Sequence, residues 1–220
     1  MRELQAGLWH WQSPHPDWTP GQRWPQEVSS CGIDDGARLL LFDPLSVPDE
    51  LLELVADREP MVVLTAPWHE RDTQSLVKRF GVPVLAPPPD TAEDLVRKYG
   101  ITPEQAAGGS PDLSWLLAGD SGEAHWYAAG DRLPIGIEAF PGRERNDLVL
   151  WIESRRAVVA GDALQDFGRG LEVRQESLTK GVTHEQVVEG LRPLLALPVE
   201  VVLPAHGAPT DRAALERALA

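Results

Sequence analysis

Short apolar runs bounded by turn residues dominate the first half of the chain. Glu27 to Ile33, the turn Asp34-Asp35-Gly36 and the run Ala37 to Asp43 predict a hairpin leading into a buried strand. Pro48 with Asp49 and Glu50 behind it marks a helix start, and the helix should reach Asp57. Met61 to Thr65 is apolar again, a helical stretch runs to Phe80, and Val82 to Leu85 closes a βαβαβ order. Pro87 to Pro89 ends this half. Thr91, with Asp94 three residues on, is a capping box opening a helix toward Tyr99. Between Gly100 and Gly119 the periodicity fades, and the stretch reads as a connecting or lid region.

From Glu123 onward strands and turns alternate. Glu123 to Ala128, Ile135 to Phe140, Asp147 to Ile152 and Ala157 to Ala160 predict a second sheet. A helix from Thr183 to Ala196, with Thr183 as its cap, a strand Glu200 to Leu203, the loop Pro204 to Gly207 and a helix starting near Thr210 follow. The opening stretch differs. Leu8 to Pro25 sets Trp9, Trp11, Trp18 and Trp24 among prolines with neither strand nor helix period, so residues 1–25 read as an extended segment anchored by aromatic rings. The expectation is one domain over 1–220 of mixed α/β (α+β) class, two sheets packed face to face and covered by helices in a four-layer αβ/βα sandwich.

Charge narrows the partners. Twenty basic residues against 34 acidic ones give a net charge of −14, which argues against nucleic acid and against an anionic membrane surface and leaves a small molecule as the expected ligand. Cys31 is the only cysteine, so neither an internal disulfide nor a thiolate zinc cage can form. With no apolar leader and no long apolar span, a soluble cytoplasmic protein is expected. No Gly-x-Ser-x-Gly, Gly-Lys-Ser/Thr or Gly-x-Gly-x-x-Gly pattern occurs.

Three segments place polar residues where an apolar strand has just ended: His69 to Asp72, Gly161-Asp162 and His206-Gly207. Singly, each is an ordinary turn or helix cap. Together with Leu41-Phe42-Asp43-Pro44, their order resembles the metallo-β-lactamase superfamily along nearly the whole chain. That resemblance implies a site for two metal ions that activate a bridging water, held by His-x-His-x-Asp-His after the Leu-Thr strand, a Pro-Gly-His histidine, the Asp of Gly-Asp and a late histidine.

The chain departs from this pattern. If Asp72 stands for the family's Asp, then Trp68, Glu70 and Thr73 replace its three histidines, and Phe140-Pro141-Gly142-Arg143 puts arginine where the Pro-Gly-His histidine belongs. The first metal sub-site should then be empty, with Arg143 pairing with Glu70 in its place. The second keeps Asp72, Asp162 and His206, with His69 as a fourth ligand on a loop one residue longer than usual. Such a set suits one zinc, iron or manganese ion.

Two outcomes stay open. In one the protein is a divergent hydrolase of a small ester, thioester or phosphoester with at most one metal ion, Asp72 or Asp162 taking the proton of the water. In the other it binds no metal and holds a small anionic ligand beside Arg143 and Arg71, with Glu70 and Trp68 also facing it. Metal-free hydrolysis with Glu70 or Asp72 as base is a third route. His10, His15 and His125 beside tryptophans read as packed or solvated; the alternative to anchoring makes some of Trp9, Trp11, Trp18 and Trp24, with Trp68 and Trp115, the wall of a ligand pocket.

Overall fold

The computed structural model describes residues 1–117 and 124–220. The first of two sheets runs β1 (Arg2–Gln5), β2 (Leu8–Pro14), β3 (Glu27–Asp34), β4 (Arg38–Phe42), β5 (Glu59–Val63), β6 (Val84–Ala86), β7 (Ala124–Trp126), neighbours in that order. β1 to β4 pair antiparallel and β4 to β7 parallel. Parallel neighbours need crossovers. α1 (Asp49–Leu54) and α2 (Thr73–Phe80) supply the first two, and α3 (Ala92–Tyr99), α4 (Pro103–Ala106) and α5 (Ser114–Leu117) lie between β6 and β7. The capping box is formed: Thr91 Oγ1 accepts from the Asp94 N–H and the Asp94 carboxylate accepts from that of Thr91.

The second sheet runs β8 (Arg132–Leu133), β9 (Ile137–Pro141), β10 (Leu148–Ile152), β11 (Ala157–Gly161), β12 (Val201–Pro204), β13 (Thr210–Asp211), with only β11 and β12 parallel. α6 (His184–Leu191), capped by Thr183, sits in that crossover, and α7 (Arg212–Ala218) follows β13. Along β10, Leu148, Leu150 and Ile152 enter the core between the sheets, while Val149 and Trp151 enter the core shared with α6 and α7. β4 divides likewise, Leu40 and Phe42 inward, Leu39 and Leu41 beneath α1 and α2. A strand buried on both faces reads as an unbroken apolar run, which is why these strands show so clearly in the sequence. The mixed α/β class and the two-sheet, helix-covered architecture are as expected.

Three details differ. Leu8–Pro14 is a strand, paired with β3 from Leu8 opposite Ile33 to Pro14 opposite Glu27, so only 15–26 crosses as a loop. β7 joins the first sheet beside β6, because α3 to α5 return the chain to the edge that β6 leaves open. The helix expected from Thr183 to Ala196 is α-helical only to Leu191 and turns 3₁₀ over Arg192–Ala196, where Pro193 has no N–H to continue the α-helical ladder. Gly119 and Glu123 of the predicted lid and strand lie outside the described residues. Among the described residues no helix is long and apolar enough to cross a membrane.

Candidate functional site

Strand ends converge at one edge of the paired sheets. Asp43 follows β4, Thr65 and the 3₁₀ turn Pro67–His69 follow β5, Arg143 follows β9, Asp162 follows β11 and His206 follows β12. Backbone bonds tie the sheets together there: Leu148 N–H donates to Thr65 O (2.9 Å) and Ser29 N–H to Ala205 O (2.8 Å). Gly161 makes the approach of Asp162 to His69 possible. Its φ is 51°, and a Cβ on it would lie 2.9 Å from Thr65 Oγ1.

A buried chain of charge runs through this edge. Asp43 accepts from the Thr65 N–H (2.8 Å) and hydroxyl (2.6 Å), and its Oδ2 takes a hydrogen bond from His69 Nδ1 at 3.0 Å. His69 Nε2 lies 3.5 Å from Asp162 Oδ2. Burial by itself would depress the His69 pKa, but the carboxylates of Asp43 and Asp162 outweigh it and raise the value to about 9, so the ring is an imidazolium at neutral pH.

Arg143 closes the chain. Its Nη2 donates to Asp162 Oδ2 (2.9 Å), its Nε to Asp147 Oδ2 (2.7 Å) and its Nη1 to Ser177 O (3.1 Å). Trp68 Nε1 donates to the same Oδ2 (3.1 Å), and Gln165 Nε2 donates to Oδ1 (3.2 Å). Burial would raise the pKa of Asp162; Arg143 first and then His69 reverse this and hold it well below the usual carboxylate range.

His206 has the opposite character. Burial lowers its pKa to about 4 against the pull of Asp162, so its 3.5 Å approach to Asp162 Oδ1 is that of a neutral ring and no ion pair. Its ring meets Trp24 and Phe167 edge-on at 5.4 and 5.6 Å, and its buried Nδ1 has no hydrogen-bond partner. Asp43 (φ 46°) and Arg71 (φ 43°) both take left-handed backbone conformations here, a strain that the surrounding bonds must hold in place. Arg71 Nη1 is fixed by Ser29 O and Asp43 O, each at 2.7 Å.

These groups floor a cleft of about 410 Å³. Trp24, Trp68 and Phe167 give it aromatic walls, and Arg23, Arg71, Arg143 and His69 line it with positive charge against Asp162 and the exposed Glu176. Of the residues expected in the site, His69, Asp162, His206, Arg143 and Trp68 are brought together. Asp72 is not: its Oδ2 accepts from the Ser46 N–H at 2.6 Å, outside the cleft. Glu70 is turned away too, accepting from the Leu113 N–H at 2.9 Å. The predicted Glu70–Arg143 pair therefore does not form, because Asp147 and Asp162 take the guanidinium and Glu70 faces the turn before α5. Neither Glu70 nor Asp72 is placed as a base. Trp115 packs under the first sheet, and Trp9 and Trp11 are anchors as expected, Trp11 Nε1 donating to Leu45 O at 2.7 Å.

Asp43, Asp147 and Gln165 were not foreseen as part of the site. Asp43 stands where β4 has just ended, the same signal that pointed to Asp162, whereas Asp147 precedes β10 and nothing in the sequence distinguishes it or Gln165.

No family model matches the chain, and no curated protein matches it by sequence. Solved structures do match. The DIM-1 metallo-β-lactamase superposes with a TM-score of 0.65 at 13% identity, over 99% of this chain and 93% of that one. A metallo-β-lactamase from Pontibacter korlensis gives 0.62 at 17% identity over 99% and 95%. The chain has the metallo-β-lactamase fold. TTHA1623, solved in a di-iron-bound form, matches with a TM-score of 0.58 at 22% identity over 91% and 98%.

Metal is thus a question that the fold raises, and the donor atoms of this chain answer it. Ligands must offer free lone pairs and be deprotonated. Here His69 Nδ1 is bonded to the Asp43 carboxylate at 3.0 Å, both oxygens of Asp162 are engaged by N–H donors, and a guanidinium stands 2.9 Å from that carboxylate. Among the described residues no three His, Cys, Asp or Glu side chains are disposed to hold a metal ion. The residues present do not fit one.

Proposed function

We propose that this metallo-β-lactamase-fold protein binds a small organic anion, a carboxylate or phosphate, in the cleft without a metal ion. The observation that carries this is the Arg143–Asp162 bond beside a protonated His69: side-chain cations stand at the strand ends and hold the carboxylate. Arg71 supports it, since Nη1 alone is committed to backbone oxygens and its Nε and Nη2 have no protein acceptor among the described residues. An exposed cleft of this volume, walled by aromatic rings with a few fixed polar groups, suits a small molecule. Fixed guanidinium groups recognise carboxylate or phosphate by paired N–H donors.

Hydrolysis of an ester, thioester or phosphoester through one metal-bound water has less support, because it needs Asp72 in the cleft and Asp162 free of Arg143. The test is calorimetric titration of chelator-treated protein with acetate and with inorganic phosphate at constant ionic strength. Saturable binding of either is expected. Heat of dilution alone from both, with ester turnover on adding zinc, iron or manganese, would replace this reading with the hydrolase.

A further inference from the structure

We infer that Arg71, and not Arg143, is the seat of the anion, and that the ligand is a carboxylate of single charge lying side-on against its Nε and Nη2; this rests on the anion-binding reading and deepens it. Both arginines line the cleft, but they stand in opposite situations. Arg143 has all three nitrogens bonded, to Asp147, Ser177 O and Asp162. It has nothing left for a ligand.

Arg71 has no carboxylate partner among the described residues. Its Nη1 alone is used, and by backbone, since it donates to Ser29 O and Asp43 O at 2.7 Å each. Two acceptors on one nitrogen fix the plane of the guanidinium and so aim the rest of it. Neither Nε nor Nη2 is one of the buried unpaired atoms, so each keeps accessible surface, and the cleft is the cavity that Arg71 lines. With Nη1 consumed, the fork that remains is Nε with Nη2, two parallel N–H groups that match the two oxygens of a carboxylate.

Charge sets the class of the ligand. Asp147, Arg143, Asp162, His69 and Asp43 alternate in sign along a row of contacts, and Arg71, bonded to Asp43 O, follows as the next cation. Three carboxylates in that row face three cations. Arg23, on the rim of the cleft, has no acceptor among the described residues and adds a fourth cation, while Glu176 is met by Arg174 at 3.7 Å. One negative charge between Arg71 and Arg23 completes the balance. A carboxylate supplies it, whereas a phosphate group, with about −1.5 to −2 at neutral pH, brings charge that the cleft does not match.

The experiment titrates chelator-treated full chain with acetate and with inorganic phosphate at constant ionic strength, wild type beside Arg71→Lys. Lysine keeps the charge and loses the fork, so acetate should bind about ten-fold or more weakly to the variant, the loss of one charge-assisted hydrogen bond. Wild type should prefer acetate to phosphate. The Nε–H resonance of Arg71 in the wild-type protein should shift as acetate is added while that of Arg143 stays, and this NMR reading decides the seat even if Arg71→Lys fails to fold. Acetate affinity undiminished in Arg71→Lys, or a shift at Arg143 in place of Arg71, would put the anion elsewhere in the cleft and overturn the seat while the anion reading stands. Phosphate binding more tightly than acetate would overturn the single charge. If neither anion binds, the anion reading falls and takes this inference with it.

Discussion

Arg143 Nη2 lies 2.9 Å from Asp162 Oδ2, with both side chains nearly buried. The same guanidinium reaches Asp147 at 2.7 Å, so one cation serves two carboxylates inside the protein. Arg143→Met should therefore cost about 3–5 kcal/mol, because it strands two buried charges rather than losing one favourable bond. Urea unfolding measures this. Adding Asp162→Asn to the variant should restore part of the loss, since one of the stranded charges is gone, and strict additivity of the two changes would show that the residues are not coupled.

Metal content separates the metal-free reading from the hydrolase directly. Protein purified without an affinity metal should hold well below one equivalent of zinc, iron or manganese by mass spectrometry, and a chelator should leave its melting temperature where it was. One equivalent that disappears in His206→Ala would show instead that Asp162 can leave Arg143 and ligate.

How much of this was legible beforehand depends on the kind of information. The element order was, because strands such as β10, buried on both faces, leave runs like Leu148 to Ile152 that no helix period competes with. β2 was hidden, since one face carries Leu8, His10 and Gln12 and the other Trp9, Trp11 and Ser13, so neither is purely apolar, and the strand ends on a proline. The meeting of His69, Asp162, His206 and Arg143 could be read from strand ends taken in order. Their bonding could not. Whether Arg143 turns to Glu70 or to Asp162 is decided by a competing partner, Asp147, four residues away, and by the backbone of the 3₁₀ turn that aims Glu70 at Leu113. Spacing along the chain carries no record of that competition.

Three histidines give stability a shaped dependence on pH. His69 is raised from 6.5 to about 9, so its contribution is complete below pH 6.5 and is lost as pH rises through 9. His10 and His206 are lowered from 6.5 to about 4, chiefly by burial, so their neutral forms favour the fold above pH 6.5 and that contribution is lost as pH falls toward 4. Urea midpoints measured across this range should peak near pH 6.5 and decline on both sides. His10→Gln should flatten the acid limb only. A midpoint that climbs steadily to pH 9 would mean that His69 is neutral in the folded protein.

Gly161 tests whether the site depends on backbone geometry. Its φ of 51° disfavours any side chain, and a Cβ would meet Thr65 Oγ1 at 2.9 Å, the hydroxyl that donates to Asp43. Gly161→Ala should thus destabilise the protein by more than about 1 kcal/mol, adding left-handed strain to a contact that must open. The opening displaces Asp162, next in the chain, from His69, so the His69 pKa should fall from about 9 toward 6.5 as one of its two carboxylates recedes. An NMR titration of the ring protons reads this separately from stability. A variant that is less stable yet keeps the His69 value would show that the strand end yields elsewhere, and that Asp43 alone holds the proton on the ring.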